Sequence, residues 1–299
     1  MSWALNGLNR LLETNDAVGS ALDSLVGSCL DISTSFSGVD APGFSARVCA
    51  NAISKQIHAA NAFRVRLTSA CEKNRACIEE LLNAVDGPEH VFSDMLSVLP
   101  QETIDASRSS TTKDLRRMVL KAKLNTTSWC CRHGRTCSTS RAAIHVAGTP
   151  CTDHSSYGSR LRDQGKCYIL YLAWIAQRRL LRETIIIHEN VTAFGSDWLE
   201  RDLGDLYLII CETFDPQQFG FPSKRPRNFS LMLLRSELPR LGVNTSFKQQ
   251  WRPFIENAFG RQCGISLDAF LIASDMDLKA EREWAMARTT VKQRPDTHR

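Results

Sequence analysis

The chain has 299 residues, 43% apolar and 23% charged, enough for one large domain, or one with a smaller appendage, around a substantial core. Its longest apolar runs, such as Ile185-Ile186-Ile187 and Leu231 to Leu234, fall far short of the ~20 residues of a membrane span, so the sequence predicts a soluble protein with no membrane partner. Lys and Arg outnumber Asp and Glu by 37 to 32, an excess too small to establish a polyanion partner on its own.

The opening Met-Ser-Trp-Ala-Leu-Asn has no basic start leading into an apolar block, which argues against secretion. Eleven cysteines, an odd number at irregular spacing, are accordingly read as reduced thiols rather than a disulfide framework. Residues 1 to 27 read as a polar, weakly helical extension. Leu30, Ile32 and Phe36 then alternate as a short strand that runs into the Ser37-Gly38 turn. Further short apolar strands are expected at Phe63 to Ser69, His90 to Ser93, Ala142 to Ala147, Thr184 to His188, Leu206 to Cys211 and Phe229 to Leu234. Helices are expected at Gly43 to Gln56, Asn74 to Ala84 and Lys166 to Leu181, the last apolar around most of its circumference. Strands alternating with helices imply an α/β fold, a doubly wound and mainly parallel sheet covered on both faces.

Two stretches interrupt that rhythm. Gln101 to Thr112 is rich in Ser and Thr and reads as an exposed loop; a basic helix and a Cys-rich knot from Cys130 to Cys137 follow. The organisation expected is an extension over 1–29, an α/β domain over 30–234 with an insertion at about 96–141, and an appendage over 235–299. Basic residues cluster at Lys113, Arg116, Arg117, Lys121 and Lys123, best read as a solvated helix face, and again at Lys224, Arg225, Arg227, Arg235 and Arg240.

The sharpest chemical signal is the strand that closes in Gly148-Thr149-Pro150-Cys151, since a cysteine just past the carboxyl end of a strand lies on the rim where open α/β sheets bind ligands. Any one cysteine of eleven is more often a small buried hydrophobe. Here a second strand end delivers Glu189-Asn190-Val191, and Phe221-Pro222-Ser223-Lys224-Arg225-Pro226-Arg227 puts two arginines on one side of an extended chain. Pro-Cys, Glu-Asn-Val and Arg-x-Arg in that order resemble the C5-cytosine methyltransferases, of DNA mainly. The upstream half is similar too. Phe36-Ser37-Gly38-Val39-Asp40-Ala41-Pro42-Gly43 looks like the family's first motif, Glu72 in Ala70-Cys71-Glu72-Lys73-Asn74 like its ribose-binding carboxylate, and Asp94 in Phe92-Ser93-Asp94-Met95 like its adenine-binding one. Taken alone, Glu72 and Asp94 fit a helix cap or a solvated carboxylate equally well. The chain departs from the pattern at Asp40, Thr149, Thr152 and Ser223, and nothing in Gly260 to Arg299 matches the family's closing Asn-containing motif.

The resemblance implies a nuclear enzyme, or a cytoplasmic one in a cell without a nucleus, whose residues 30–234 are catalytic and 235–299 a partial target-recognition region. It implies S-adenosylmethionine as cofactor, held by Phe36, Ser37, Gly38, Val39, Glu72, Asp94 and Pro150, and DNA as partner, with RNA or a silent nucleic-acid-binding role as alternatives. Cys151 would be the nucleophile, Glu189 the acid at the base, Arg225 and Arg227 the cations beside it. A polar loop at Ser155, Ser156 and Gly158 would close over a flipped base. Without the closing motif, weak or absent activity is expected. Cys130, Cys131, His133 and Cys137 carry zinc-type donors, but adjacent cysteines cannot easily face one ion, so no metal is expected. Trp129 beside them is expected in the core.

Overall fold

The computed structural model describes residues 2–15, 17–57, 63–153, 161–244 and 246–262, with isolated positions among 276–283. Two helices, α1 (Ser2–Thr14) and α2 (Ala17–Ser24), lead into β1 (Ser28–Ser35). The chain then alternates through α3 (Ala41–Gln56), β2 (Phe63–Cys71), α4 (Arg75–Asn83) and β3 (His90–Phe92). After α5 (Gln101–Ser107) and α6 (Thr112–Lys121), a hairpin of β4 (Thr127–Cys130) and β5 (Arg135–Ser138) precedes β6 (Ile144–Ala147). Then come α7 (Tyr168–Leu181), β7 (Ile185–Val191), α8 (Asp197–Leu203), β8 (Tyr207–Phe214), β9 (Arg227–Leu234) and α9 (Phe247–Phe259).

Among the described residues nine strands form one sheet in the order β5-β4-β3-β2-β1-β6-β7-β9-β8. The five strands from β3 to β7 are parallel, and β9 runs antiparallel between β7 and β8. This is the α/β sheet expected from the sequence. The winding reverses at β1, which lies between β2 and β6, so the carboxyl ends of β1 and β6 flank the crevice where such sheets take ligands.

One face of the sheet carries α6, α7 and α8. Leu172, Trp174, Ile175, Ile186, Leu199, Leu203, Tyr207 and Met232 are all buried there, which explains why α7 is apolar nearly all round. The other face carries α3 and α9. Along β7 the burial alternates, Ile186, His188 and Asn190 inward, Ile187 and Glu189 only partly covered, because α3 and α9 leave the middle of that face open.

Four expectations need correcting. The segment at 101–107 is a helix, α5, not a loop: Thr103 and Ile104 turn inward, and tertiary packing outweighs the polar composition. The first residues do not merely trail: Ala4 is buried against Val48 and Ala52 of α3, and Trp3 meets Phe259 of α9 edge to face. Trp129 is 56% exposed, because strand alternation turns its neighbours Ser128 and Cys130 inward and Trp129 outward. Finally, the basic run from Lys224 to Arg240 is not one patch. The eight residues of β9, at about 3.3 Å each, separate Arg225 and Arg227 from Arg235 and Arg240 by roughly 26 Å.

Candidate active site

At the carboxyl end of β1 the backbone turns through three left-handed residues, Phe36 (φ 56°), Gly38 (φ 54°) and Asp40 (φ 62°). For Phe36 and Asp40 that conformation costs on the order of 1–3 kcal/mol, the kind of strain that gathers at ligand sites. Ser37 holds the turn: its hydroxyl donates to Cys71 O (3.2 Å) and bonds Thr34 Oγ1 (2.7 Å). Gly38 is required by its backbone angle; a Cβ there would meet nothing within 4 Å, and Val39 beside it is exposed. Asp40, where the family pattern has a second glycine, caps α3 by accepting from Gly43 N (3.3 Å), and burial raises its pKa above the ordinary 3.8.

Glu72, just past β2, accepts from the amides of Gly38 (2.8 Å), Lys73 (2.9 Å) and Asn74 (2.7 Å), so it ties the β1 turn to the β2 turn. A carboxylate has about four acceptor sites, which leaves one for an outside hydroxyl. Asp94 accepts from Leu96 N (2.9 Å), capping a short 3-10 helix at Met95–Val98, and pairs with the exposed Lys73 ammonium (3.0 Å). Asp94 thus makes the local cap weighed for it, while Glu72 caps no helix, the start of α4 being capped by Asn74, and braces two turns instead.

The Pro-Cys segment is fixed from β7. Ala147 pairs with His188, and Thr149 is buried: its hydroxyl bonds His188 Nε2 (2.8 Å), while Asn190 Nδ2 donates to Thr149 O (3.1 Å) and Oγ1 (3.0 Å). Pro150 and Cys151 follow, both partly exposed. Alternation sends Asn190 to the buried face and Glu189 to the open one, where Glu189 Oε2 lies 3.3 Å from the place a Gly148 Cβ would take. Glu189 Oε1 pairs with Arg227 Nε (2.9 Å), and Phe229 lies directly across from Glu189 on β9. Arg225 is exposed nearby, its amide donating to Asp215 (3.4 Å).

Glu189, Arg225 and Arg227 line a cavity of about 860 Å³ whose other walls include Trp3, Phe214, Phe219, Phe229 and Phe259. A second cavity of about 710 Å³ begins at Phe36, Ser37 and Gly148 and shares Glu189 and Phe229 with the first. The structure thus joins Glu189 to Arg227, sets Gly148, Phe36 and Ser37 on a cavity that Glu189 also lines, and ties Thr149, two residues before Cys151, to β7. Cys167 lies beyond Cys151, its Sγ 3.0 Å from Thr152 Oγ1, and burial pushes its thiol above the ordinary range. Ser155, Ser156 and Gly158 lie outside the described residues, as does most of 263–299.

Sequence reading missed Trp3 and the aromatic walls, which depend on the β7–β9 register and on α1 meeting α9. Asn190 was legible in principle: it alternates with Glu189, so one of the two had to face the core.

No family model matches the chain, and neither does any curated protein. Among solved structures it is similar to one described as a DNA modification methyltransferase encoded within a prophage (E. coli), 17% identical, covering 73% of this chain and 49% of that one at a TM-score of 0.43. The S. pombe Dnmt2 methyltransferase is 13% identical over 72% of this chain and 55% of its own, at 0.42. The Entamoeba histolytica methyltransferase EhMeth is 14% identical over 69% and 53%, at 0.39. The chain spans about half the length of the solved structures it resembles.

Proposed function

We propose that the chain methylates C5 of cytosine in nucleic acid, DNA foremost, through a covalent adduct between Cys151 and C6 of the base. The observation that carries this reading is the Glu189–Arg227 pair on the wall of a cavity, held by strand register beside the Pro150-Cys151 turn. Three motifs scattered over some eighty residues of sequence support it together: the acid and the cation are paired on a cavity wall, and the thiol would approach the same ring from the turn after Gly148 and Thr149, which are themselves held against β7.

The residues present fit S-adenosylmethionine. The Phe36–Val39 turn, the remaining acceptor site of Glu72, Asp94 once Lys73 swings away, and Pro150 would hold it; an exposed ion pair such as Lys73–Asp94 is worth only ~0–1 kcal/mol, so displacing it is cheap. When bound, the cofactor supplies an electrophilic methyl group. C5 of cytosine is a poor nucleophile until the Cys151 thiolate adds to C6, which shifts the ring's electron pair to C5. Glu189 would hydrogen-bond N3 and the exocyclic amine, and Arg227 would leave Glu189 for O2, so that both offset charge as it develops. Loss of the C5 proton after transfer expels the thiolate and frees Cys151. A paired base cannot reach this crevice, so the target nucleotide must leave its stack, at a cost of a few kcal/mol. The aromatic walls offer it new stacking surface.

The test is capture on 5-fluorocytosine, which blocks loss of the C5 substituent and freezes the adduct. With S-adenosylmethionine present, duplex DNA carrying the analogue should shift the protein to a covalent species on a denaturing gel. Cys151→Ala should abolish the shift and Cys211→Ala should keep it. Capture on RNA alone would move the substrate class, and no capture on either would overturn the reading.

A further inference from the structure

At the edge of the sheet opposite β8, strand alternation assembles a group that no part of the proposed chemistry uses. In the antiparallel pairing of β3, β4 and β5, Phe92 faces Cys130 and Ser128 faces Cys137. Residues two apart share a face, so His90, Phe92, Cys130 and Cys137 all point the same way. The hairpin turn after Cys130 brings His133 back over that face: His133 Nδ1 is 3.4 Å from Cys130 Sγ and 3.5 Å from Cys137 Sγ. His90 completes the set, its ring 4.9 Å from that of His133, and its Nδ1 is buried with no hydrogen-bond partner. One donor atom from each of the four lies within 4.8 Å of the others.

We propose that His90, Cys130, His133 and Cys137 bind a structural zinc ion. Two thiols and two imidazoles are the donor set of closed tetrahedral zinc sites, and zinc–sulfur bonds of about 2.3 Å with zinc–nitrogen bonds of about 2.0 Å place tetrahedral donors about 3.3 to 3.8 Å apart. Two of the donor pairs already have that spacing, and the rest close with small side-chain shifts. Binding deprotonates both thiols and releases two protons. With four protein ligands no position stays open for a substrate, so the ion braces the fold. It would clamp the β4–β5 hairpin to β3, a strand that pairs with β4 through one residue and stacks Phe92 on His90 two residues before Asp94.

The sequence alone leads to no metal, because it offers Cys131, adjacent to Cys130, as the remaining donor and leaves His90 out. Alternation sends Cys131 to the opposite face, where it packs against the cluster of Ala70, Leu81 and Val91. The true fourth ligand lies forty residues upstream of Cys130, on a strand whose register only the folded sheet reveals.

Zinc content of the full chain, expressed with zinc and purified without chelator, tests the proposal by elemental analysis. About one zinc per chain is expected. Cobalt exchanged into the wild type should give tetrahedral ligand-field bands with thiolate charge-transfer absorption, a readout that needs no variant. Cys137→Ser and His90→Ala should weaken metal binding by at least the roughly 10- to 100-fold that loss of a supporting partner costs, while Cys131→Ser keeps stoichiometric metal. A preparation with no bound zinc and no cobalt–thiolate band would overturn the proposal. So would a Cys130–Cys137 disulfide in the protein as purified, or a folded Cys131→Ser variant that loses the metal as completely as Cys137→Ser.

Discussion

Glu189 illustrates how one residue's place decides its chemistry. It sits on β7 between the inward-facing His188 and Asn190, so its carboxylate emerges on the open face and meets Arg227. Both members of the pair are partly exposed, 37% and 24%, which limits what the pair contributes to folding. Glu189→Gln is therefore expected to change the melting temperature little while slowing 5-fluorocytosine capture by ~10²–10³, the usual loss for one stabilising group at a developing charge. Equal rates for variant and wild type in a single-turnover assay would remove Glu189 from the chemistry. His145 is set the opposite way. It is buried on β6, where its Nε2 accepts from Trp174 Nε1 (3.1 Å) and its Nδ1 therefore donates to Ser33 Oγ (2.8 Å). Burial first, then the nearby Arg178 and His188, hold its pKa well below 6.5. The unfolded chain thus binds a proton that the folded chain refuses, and stability falls as pH drops below the unfolded value near 6.5, by up to ~1.4 kcal/mol per pH unit. Denaturant titrations of His145→Gln between about pH 7.5 and 5 should show lower stability throughout but a shallower slope than wild type. An unchanged slope would mean that other groups carry the acid sensitivity.

Between elements, the buried ion pair where α7 gives way to β7 holds more at stake than the surface pairs. Arg178 and Glu183 are 2% and 0% exposed, and Gln177 also accepts from Arg178. Burial lowers the pKa of the arginine and raises that of the glutamate, each opposed by its partner's charge. Removing one partner strands the other, so Glu183→Ala should cost ~3–5 kcal/mol in urea unfolding. The double variant Arg178→Met with Glu183→Leu should recover most of that loss, because an apolar pair of similar volume avoids desolvating two charges. A double variant no more stable than Glu183→Ala would show that the pair's hydrogen bonds, not its charges, matter. The same scale explains the hairpin of β4 and β5. It covers the edge of β3, which would otherwise present unpaired backbone groups.

For the molecule as a whole, the sheet's winding reversal at β1 sets Phe36 and Ser37 on one cavity with Gly148 and Glu189. On the β2 side of the Phe36–Asp40 turn Glu72 accepts from Gly38, so it stands both in the proposed cofactor site and in the link between the β1 and β2 turns. Glu72→Ala should weaken S-adenosylmethionine binding in calorimetry by tenfold or more, equivalent to ~1.4 kcal/mol, with nucleic-acid affinity unchanged. Loss of both affinities together would mean that the turn organises the whole rim rather than the cofactor side alone.

The sequence by itself determined the alternation of strands and helices, the all-round apolar α7, and the positions of Cys151 past the end of β6 and of Arg227 at the start of β9, because period-2 and period-3.6 patterns and Gly/Pro turns are local properties; β7 runs on through Val191, so Glu189, expected just past its end, lies within it. It left the lesser elements open: α5 forms from a Ser/Thr-rich segment because Thr103 and Ile104 find a core to bury against. It also could not say that Arg235 and Arg240 lie a strand's length from Arg225, or that Trp3 closes the cavity around Glu189. Those facts follow from strand order and register, as does the choice of His90 over Cys131 beside Cys130. Pairing energies between strands forty residues apart depend on the entire sheet, and a one-residue slip would turn every one of these side chains to the other face.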